Sequence, residues 1–113
     1  MNRSTIIKLI KQPLQSQNVS KVILFGPHSK GAPDESSDVD LLVITNDDYT
    51  PASFSEKMAI KIPIANPLSE LRKLTDIDLI VYTKPMYQRF LEMESGLKRE
   101  IDSTGSIVYE ADN

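Results

Sequence analysis

The chain contains no cysteine and a single histidine, His28. The first absence removes disulfides and thiolate metal sites, the second removes histidine-rich zinc chemistry, and both are compatible with a reducing compartment. No apolar run approaches the roughly eighteen residues that would suggest a membrane span. The opening MNRSTIIKLIKQ holds only short apolar pairs broken by lysines, so the expectation is a cytoplasmic protein without membrane association. Basic charge is not in excess: the formal net charge is −3, which gives no footprint for a broad nucleic-acid-binding surface. Glycine is scarce as well, and two of the four glycines, Gly26 and Gly31, bracket one short segment. There is no internal repeat or low-complexity tract. A chain of 113 residues with 40% hydrophobic content is expected to form one domain, 1–113, around one core.

What is present concentrates between Ile23 and Thr45, ILFGPHSKGAPDESSDVDLLVIT. Lys21 to Phe25 is a short apolar run rich in branched residues that ends at Gly26, as a buried strand entering a turn does. Gly26 and Gly31 enclose Pro27, His28, Ser29 and Lys30, so the backbone can turn tightly and open a helical turn whose N–H groups attract anions. Downstream, Asp38 and Asp40 stand two apart before Leu41, Leu42, Val43 and Ile44, and a spacing of two places both on one face of a strand. Side-by-side carboxylates at the mouth of a buried strand repel, and a divalent cation relieves the repulsion. With oxygen ligands only, that cation is Mg²⁺ or Mn²⁺. DIDLIVYT, Asp76 to Thr83, is a third acidic strand, whose Asp78 can bring another carboxylate to the same place; Asp76 shares its face and can substitute. Three carboxylates suit two metal ions, and such a pair serves phosphoryl or nucleotidyl transfer.

Phe25-Gly26-Pro27-His28-Ser29-Lys30-Gly31 followed by Ser37-Asp38-Val39-Asp40-Leu41 resembles the FGSxxxG and SDxDL pattern of the minimal nucleotidyltransferases of the DNA polymerase β superfamily. Asp78-Leu79-Ile80-Val81 resembles the third-carboxylate strand of that family, and by order of elements the resemblance covers nearly the whole chain. It implies a polymerase β-like fold, α/β (α+β), with helices packed on a small mixed sheet. It implies Asp38, Asp40 and Asp78 as catalytic residues and ligands of two Mg²⁺ ions. Gly26, Pro27, His28, Ser29, Lys30, Gly31 and Ser37 would then lie along the phosphates of a nucleoside triphosphate, ATP foremost. The implied reaction transfers a nucleoside monophosphate to a hydroxyl acceptor with release of pyrophosphate. Stand-alone domains of this kind resemble the antitoxin half of pairs with a small helical HEPN toxin; homodimerisation is the other assembly the resemblance leaves open.

One residue departs from the pattern. Pro27 stands where the family has serine and supplies neither hydroxyl nor backbone N–H. Loss of a hydrogen bond to a charged group costs roughly 1.5 to 3 kcal/mol, about ten- to a hundred-fold in affinity or rate. Lys30 keeps the charge of the arginine often found there without its bidentate fork. The departure frames a competing reading: a catalytically weak or inactive domain of the same fold that neutralises a partner by contact.

Around this stretch the pattern predicts a helix capped by Ser4 with Ile6, Ile7, Ile10 and Leu14 on one side, ended or bent at Pro13. Ala32 to Ser37 reads as a loop in which Asp34 and Glu35 are solvated. A helix from about Phe54 to Lys61, capped by Ser53 or Ser55, has Phe54, Met58, Ala59 and Ile62 on one face, although Ile60, Ile62 and Ile64 also permit an edge strand. Pro67 to Leu74, with Leu68, Leu71 and Leu74 on one side, reads as a second helical piece of a crossover into the Asp78 strand. Tyr87, Phe90, Leu91, Leu97 and Ile101 form a stripe over one or two helices broken at Ser95-Gly96, and SIVYE, Ser106 to Glu110, is a last strand. Tyr82, Tyr87 and Tyr109 read as core or half-buried residues.

Overall fold

The computed structural model describes residues 2–29 and 38–111. Four strands, β1 (Val19–Phe25), β2 (Val39–Thr45), β3 (Ile77–Tyr82) and β4 (Ser106–Glu110), form one sheet in the order β3-β2-β1-β4. β1 is antiparallel to β2 and β4, whereas β2 and β3 run parallel. A parallel pair needs a crossover. Here it is α2 (Phe54–Ala65), a 3-10 turn (Asn66–Leu68) and the short α3 (Ser69–Arg72). The mixed α+β sheet expected from the sequence is therefore present.

β2 is the centre of the fold. Leu41, Leu42, Val43 and Ile44 are all buried, because neighbouring strands flank β2 on both edges and helices cover both faces. Alternation divides its side chains. Val39, Leu41 and Val43 join Val22, Leu24 and Leu79 beneath α1 (Arg3–Leu14), α2 and α3. Leu42 and Ile44 join Ile23 and Phe25 against Phe90 of α4 (Lys84–Glu92) and Leu97 and Ile101 of α5 (Gly96–Thr104). Tyr82 and Tyr87 pack on Phe90 with ring centroids 5.6 and 6.2 Å away, and Tyr109 packs against the opposite layer.

Several local expectations are corrected. Asn2, not Ser4, caps α1, its Oδ1 accepting the Thr5 N–H at 2.9 Å. Neither Pro13 nor Pro63 ends its helix. Each forfeits one intrahelical donor, but the following turn still closes, through the Gln15 N–H to the Lys11 carbonyl and the Asn66 N–H to the Ile62 carbonyl. α2 is capped by Ser53, and Glu56 reaches back to the Ala52 N–H at 2.6 Å. Its inward face is Ile60 and Ile64, while Phe54 is 76% exposed. The alternating isoleucines thus follow helical, not strand, periodicity. Leu68 and Leu71 are fully buried, but Leu74 lies beyond the end of α3 and is exposed, as is Leu91. No helix among the described residues is long and apolar enough to cross a membrane.

Candidate active site

The sheet order brings the end of β1 beside the start of β2, where Phe25 pairs with Asp40. It also sets β3 alongside β2 in a register that pairs Asp40 with Asp78. Asp40 lies on the same face as Leu42 and Ile44, the face covered by α4 and α5. Asp38 precedes the strand and is exposed. The β-spacing between Asp38 and Asp40 therefore begins one residue outside the ladder. Asp76 contributes through its backbone: its carbonyl accepts the Val39 N–H at 2.9 Å, extending the parallel ladder at its acidic end.

Gly26 turns the chain out of β1 with φ +76°, a conformation L side chains rarely adopt. The space above it belongs to Asp40: a Cβ at position 26 would overlap the Asp40 carboxylate at Oδ2. Glycine is thus required twice over, by the backbone angle and by the close approach of the acid.

Burial raises the Asp40 pKa, and the negative charges of Asp78, Glu100 and Asp38 add to it, bringing it from 3.8 to about 6, while His28 acts in the opposite sense. Desolvation and like-charge repulsion both disfavour the carboxylate, and a hard divalent cation would relieve both. Oxygen donors on Asp40 and Asp78 suit such an ion. Among the described residues no group of three His, Cys, Asp or Glu side chains is arranged to hold a metal, so the expected three-carboxylate cluster is represented by the Asp40–Asp78 pair.

The turn after Gly26 is more committed to the fold than its sequence suggests. The Gly26 N–H donates to Thr104 Oγ1 at 3.0 Å, and that hydroxyl donates to the Glu100 carbonyl at 2.7 Å. The Ser29 N–H closes the turn onto the Gly26 carbonyl at 3.1 Å. The Ser29 hydroxyl is 2.9 Å from that of Ser106, and Arg3 Nε donates to the Ser29 carbonyl at 3.2 Å. His28 and Ser29 are buried, and Pro27 is exposed. Lys30, Gly31 and Ser37, together with the Asp34 and Glu35 loop, lie outside the described residues.

Glu100 and Thr104 are site residues that the sequence pattern did not single out. Their signal was available: Leu97, Glu100, Ile101 and Thr104 follow an i, i+3, i+4, i+7 pattern, so two polar groups interrupt the apolar face of α5. Replacing Thr104 with valine should leave the Gly26 N–H without its acceptor and lower the unfolding free energy by about 1 to 3 kcal/mol, read from urea midpoints. Thr104→Ser should retain most of that stability.

The family model for polymerase β nucleotidyltransferases matches residues 8–113. The chain belongs to this family. Solved structures repeat the nucleotidyltransferase fold. A crystal structure of a toxin-antitoxin with AMP-PNP is 21% identical over 98% of this chain and 75% of its own, with a TM-score of 0.56. A nucleotidyltransferase structure from Sulfolobus solfataricus is 14% identical over 96% and 79%, with a TM-score of 0.57. A mutant of the toxin-antitoxin MntA-HpeT is 21% identical over 98% and 74%, with a TM-score of 0.54. Among curated proteins none matches the sequence.

Proposed function

We propose that this nucleotidyltransferase domain moves a nucleoside monophosphate from a nucleoside triphosphate, ATP foremost, to a hydroxyl acceptor. The observation that carries the reading is the in-register pairing of Asp40 with Asp78 beside the positive-φ turn at Gly26. Asp40 and Asp78 would hold Mg²⁺, with Mn²⁺ as the alternative and Asp38 joining them once nucleotide is bound, and the bound ion would neutralise charge on the α-phosphate and the departing pyrophosphate. The acceptor oxygen forms a bond to the α-phosphorus while the bond to the β-phosphate bridging oxygen breaks. Asp78 takes the hydroxyl proton, and pyrophosphate leaves with the electron pair. The triphosphate would lie along the turn that starts at Gly26. Since the Gly26 N–H is engaged by Thr104 and Pro27 has none, its contacts fall to His28, Lys30, Gly31 and Ser37.

The toxin-antitoxin complexes that share the fold support an antitoxin role, with a small helical HEPN protein as the partner. The second reading, a domain that neutralises such a partner by contact with little or no transfer, is favoured by the same turn. Pro27 lacks a donor, and the neighbouring Gly26 donor is already engaged inside the fold.

Mg²⁺ with ATP at a hundred times the dissociation constant should stabilise the folded chain by about 2.7 kcal/mol, a rise of roughly 5 °C or more in Tm. Asp40→Asn should abolish the rise. A wild-type Tm that does not respond to nucleotide would favour the contact reading.

A further inference from the structure

β3 is an edge strand: among the described residues it pairs with β2 alone, which leaves the N–H and C=O groups of alternate residues facing outward. Two adjoining cavities of about 460 and 340 Å³ share Pro51, Lys57 and Met86 and follow this edge. Leu79, Ile80 and Val81 all line the smaller one. Consecutive residues of a strand point to opposite faces, so a cavity touched by three in a row opens onto the strand's edge. α2 supplies one wall through Phe54 and Met58, and α4 the other through Met86 and Phe90. Phe54 and Met93, which also line the groove, are 76% and 57% exposed.

The charged side chains lining the two cavities are Lys57, Lys61 and Arg89, all basic, in a chain whose net charge is −3. The smaller cavity starts at Leu79, the residue after Asp78, and the larger reaches Tyr82, four residues past Asp78 and about 13 Å along the strand, so the groove runs from beside the paired carboxylates toward the far end of β3.

We propose that this groove receives an extended, acidic polypeptide segment of another protein, which adds as a fifth strand to the β3 edge. Main-chain hydrogen bonds to the free edge would give affinity. Consecutive side chains of the added strand would face opposite walls: an acidic set would meet Lys57 and Lys61 of α2, and the alternate apolar set would pack on Met86 and Phe90 of α4. A helical segment would leave the strand's backbone groups unpaired. A second copy of this chain would set two basic rims against each other, and like charges in an interface are unfavourable.

The probe is a fluorescein-labelled short peptide alternating valine with glutamate, titrated with the full chain and followed by fluorescence anisotropy. It should bind saturably, and its valine–lysine counterpart at least about tenfold more weakly. Methylating alternate backbone nitrogens should remove binding, because an edge-paired strand needs its N–H groups. Lys57→Glu, an exposed change on α2, should weaken the valine–glutamate peptide by about tenfold with the circular dichroism spectrum unchanged. Absence of saturable binding would overturn the proposal. So would equal affinity for the lysine counterpart, indifference to N-methylation or to Lys57→Glu, tighter binding of a single-stranded oligonucleotide, or dimerisation of the chain that the peptide does not reverse.

Discussion

Gly26→Ala should lose at least about a hundred-fold in nucleotidyl transfer, because misplacing a reacting group by an ångström is enough for that loss. Two costs coincide at this position. The backbone holds φ +76°, and a left-handed conformation costs an L residue roughly 1 to 2 kcal/mol. The new methyl would also overlap the Asp40 carboxylate, so relief requires the acid to move from its place opposite Asp78. Stability should therefore fall together with activity, and urea unfolding alongside a transfer assay would read both. Gly96→Ala is the control: it sits at the start of α5, its nearest neighbour would be Arg99 Nη2 at 3.9 Å, and it should leave activity unchanged.

Asp40→Asn should do the opposite to stability while removing activity. The Asp40 carboxyl titrates at about 6 in the fold, against an ordinary 3.8, with burial the leading cause and Asp78 the next. A raised carboxyl pKa means that the folded state holds its proton more tightly than the unfolded chain. The wild type carries no penalty below about pH 4, loses stability as pH rises from about 4 to 6, and bears the full penalty above that. The shift converts to about 3 kcal/mol at most, and to about 1 to 2 after allowing for the solvent that reaches this half-buried group. The asparagine variant should thus match the wild type in urea unfolding near pH 4 and exceed it by about 1 to 2 kcal/mol near pH 7. An acid retained although it lowers stability is what a metal- and phosphate-handling role requires.

Much of this arrangement was legible because it rests on local signals. The unbroken apolar run Leu41 to Ile44 forces a central strand, and the helical stretch before Ile77 forces β3 to lie parallel to it. The positions of Gly26, Asp40 and Asp78 follow from that order. What escaped depended on contacts distant in sequence. The hydroxyl that caps the Gly26 N–H comes from Thr104, 78 residues away, and no spacing rule near the glycine turn points to it. The inward face of α2 differs from the expected one because Phe54, its most hydrophobic candidate, lies at the first turn and faces the β3 edge groove, while Ile60 and Ile64 reach the core. Asn2 replaced Ser4 as the α1 cap because either side chain satisfies the local rule, and only the tertiary placement of the helix selects one.

The central claim is that Asp40 and Asp78 form the working centre of a nucleotidyltransferase. It is tested most directly by incubating the chain with α-labelled ATP, Mg²⁺ and cell extract and following label on an acceptor. The account predicts label transfer that requires Mg²⁺, is accompanied by pyrophosphate, and disappears in Asp40→Asn although that variant is folded and more stable near neutral pH. Transfer that survives undiminished in Asp40→Asn would contradict it.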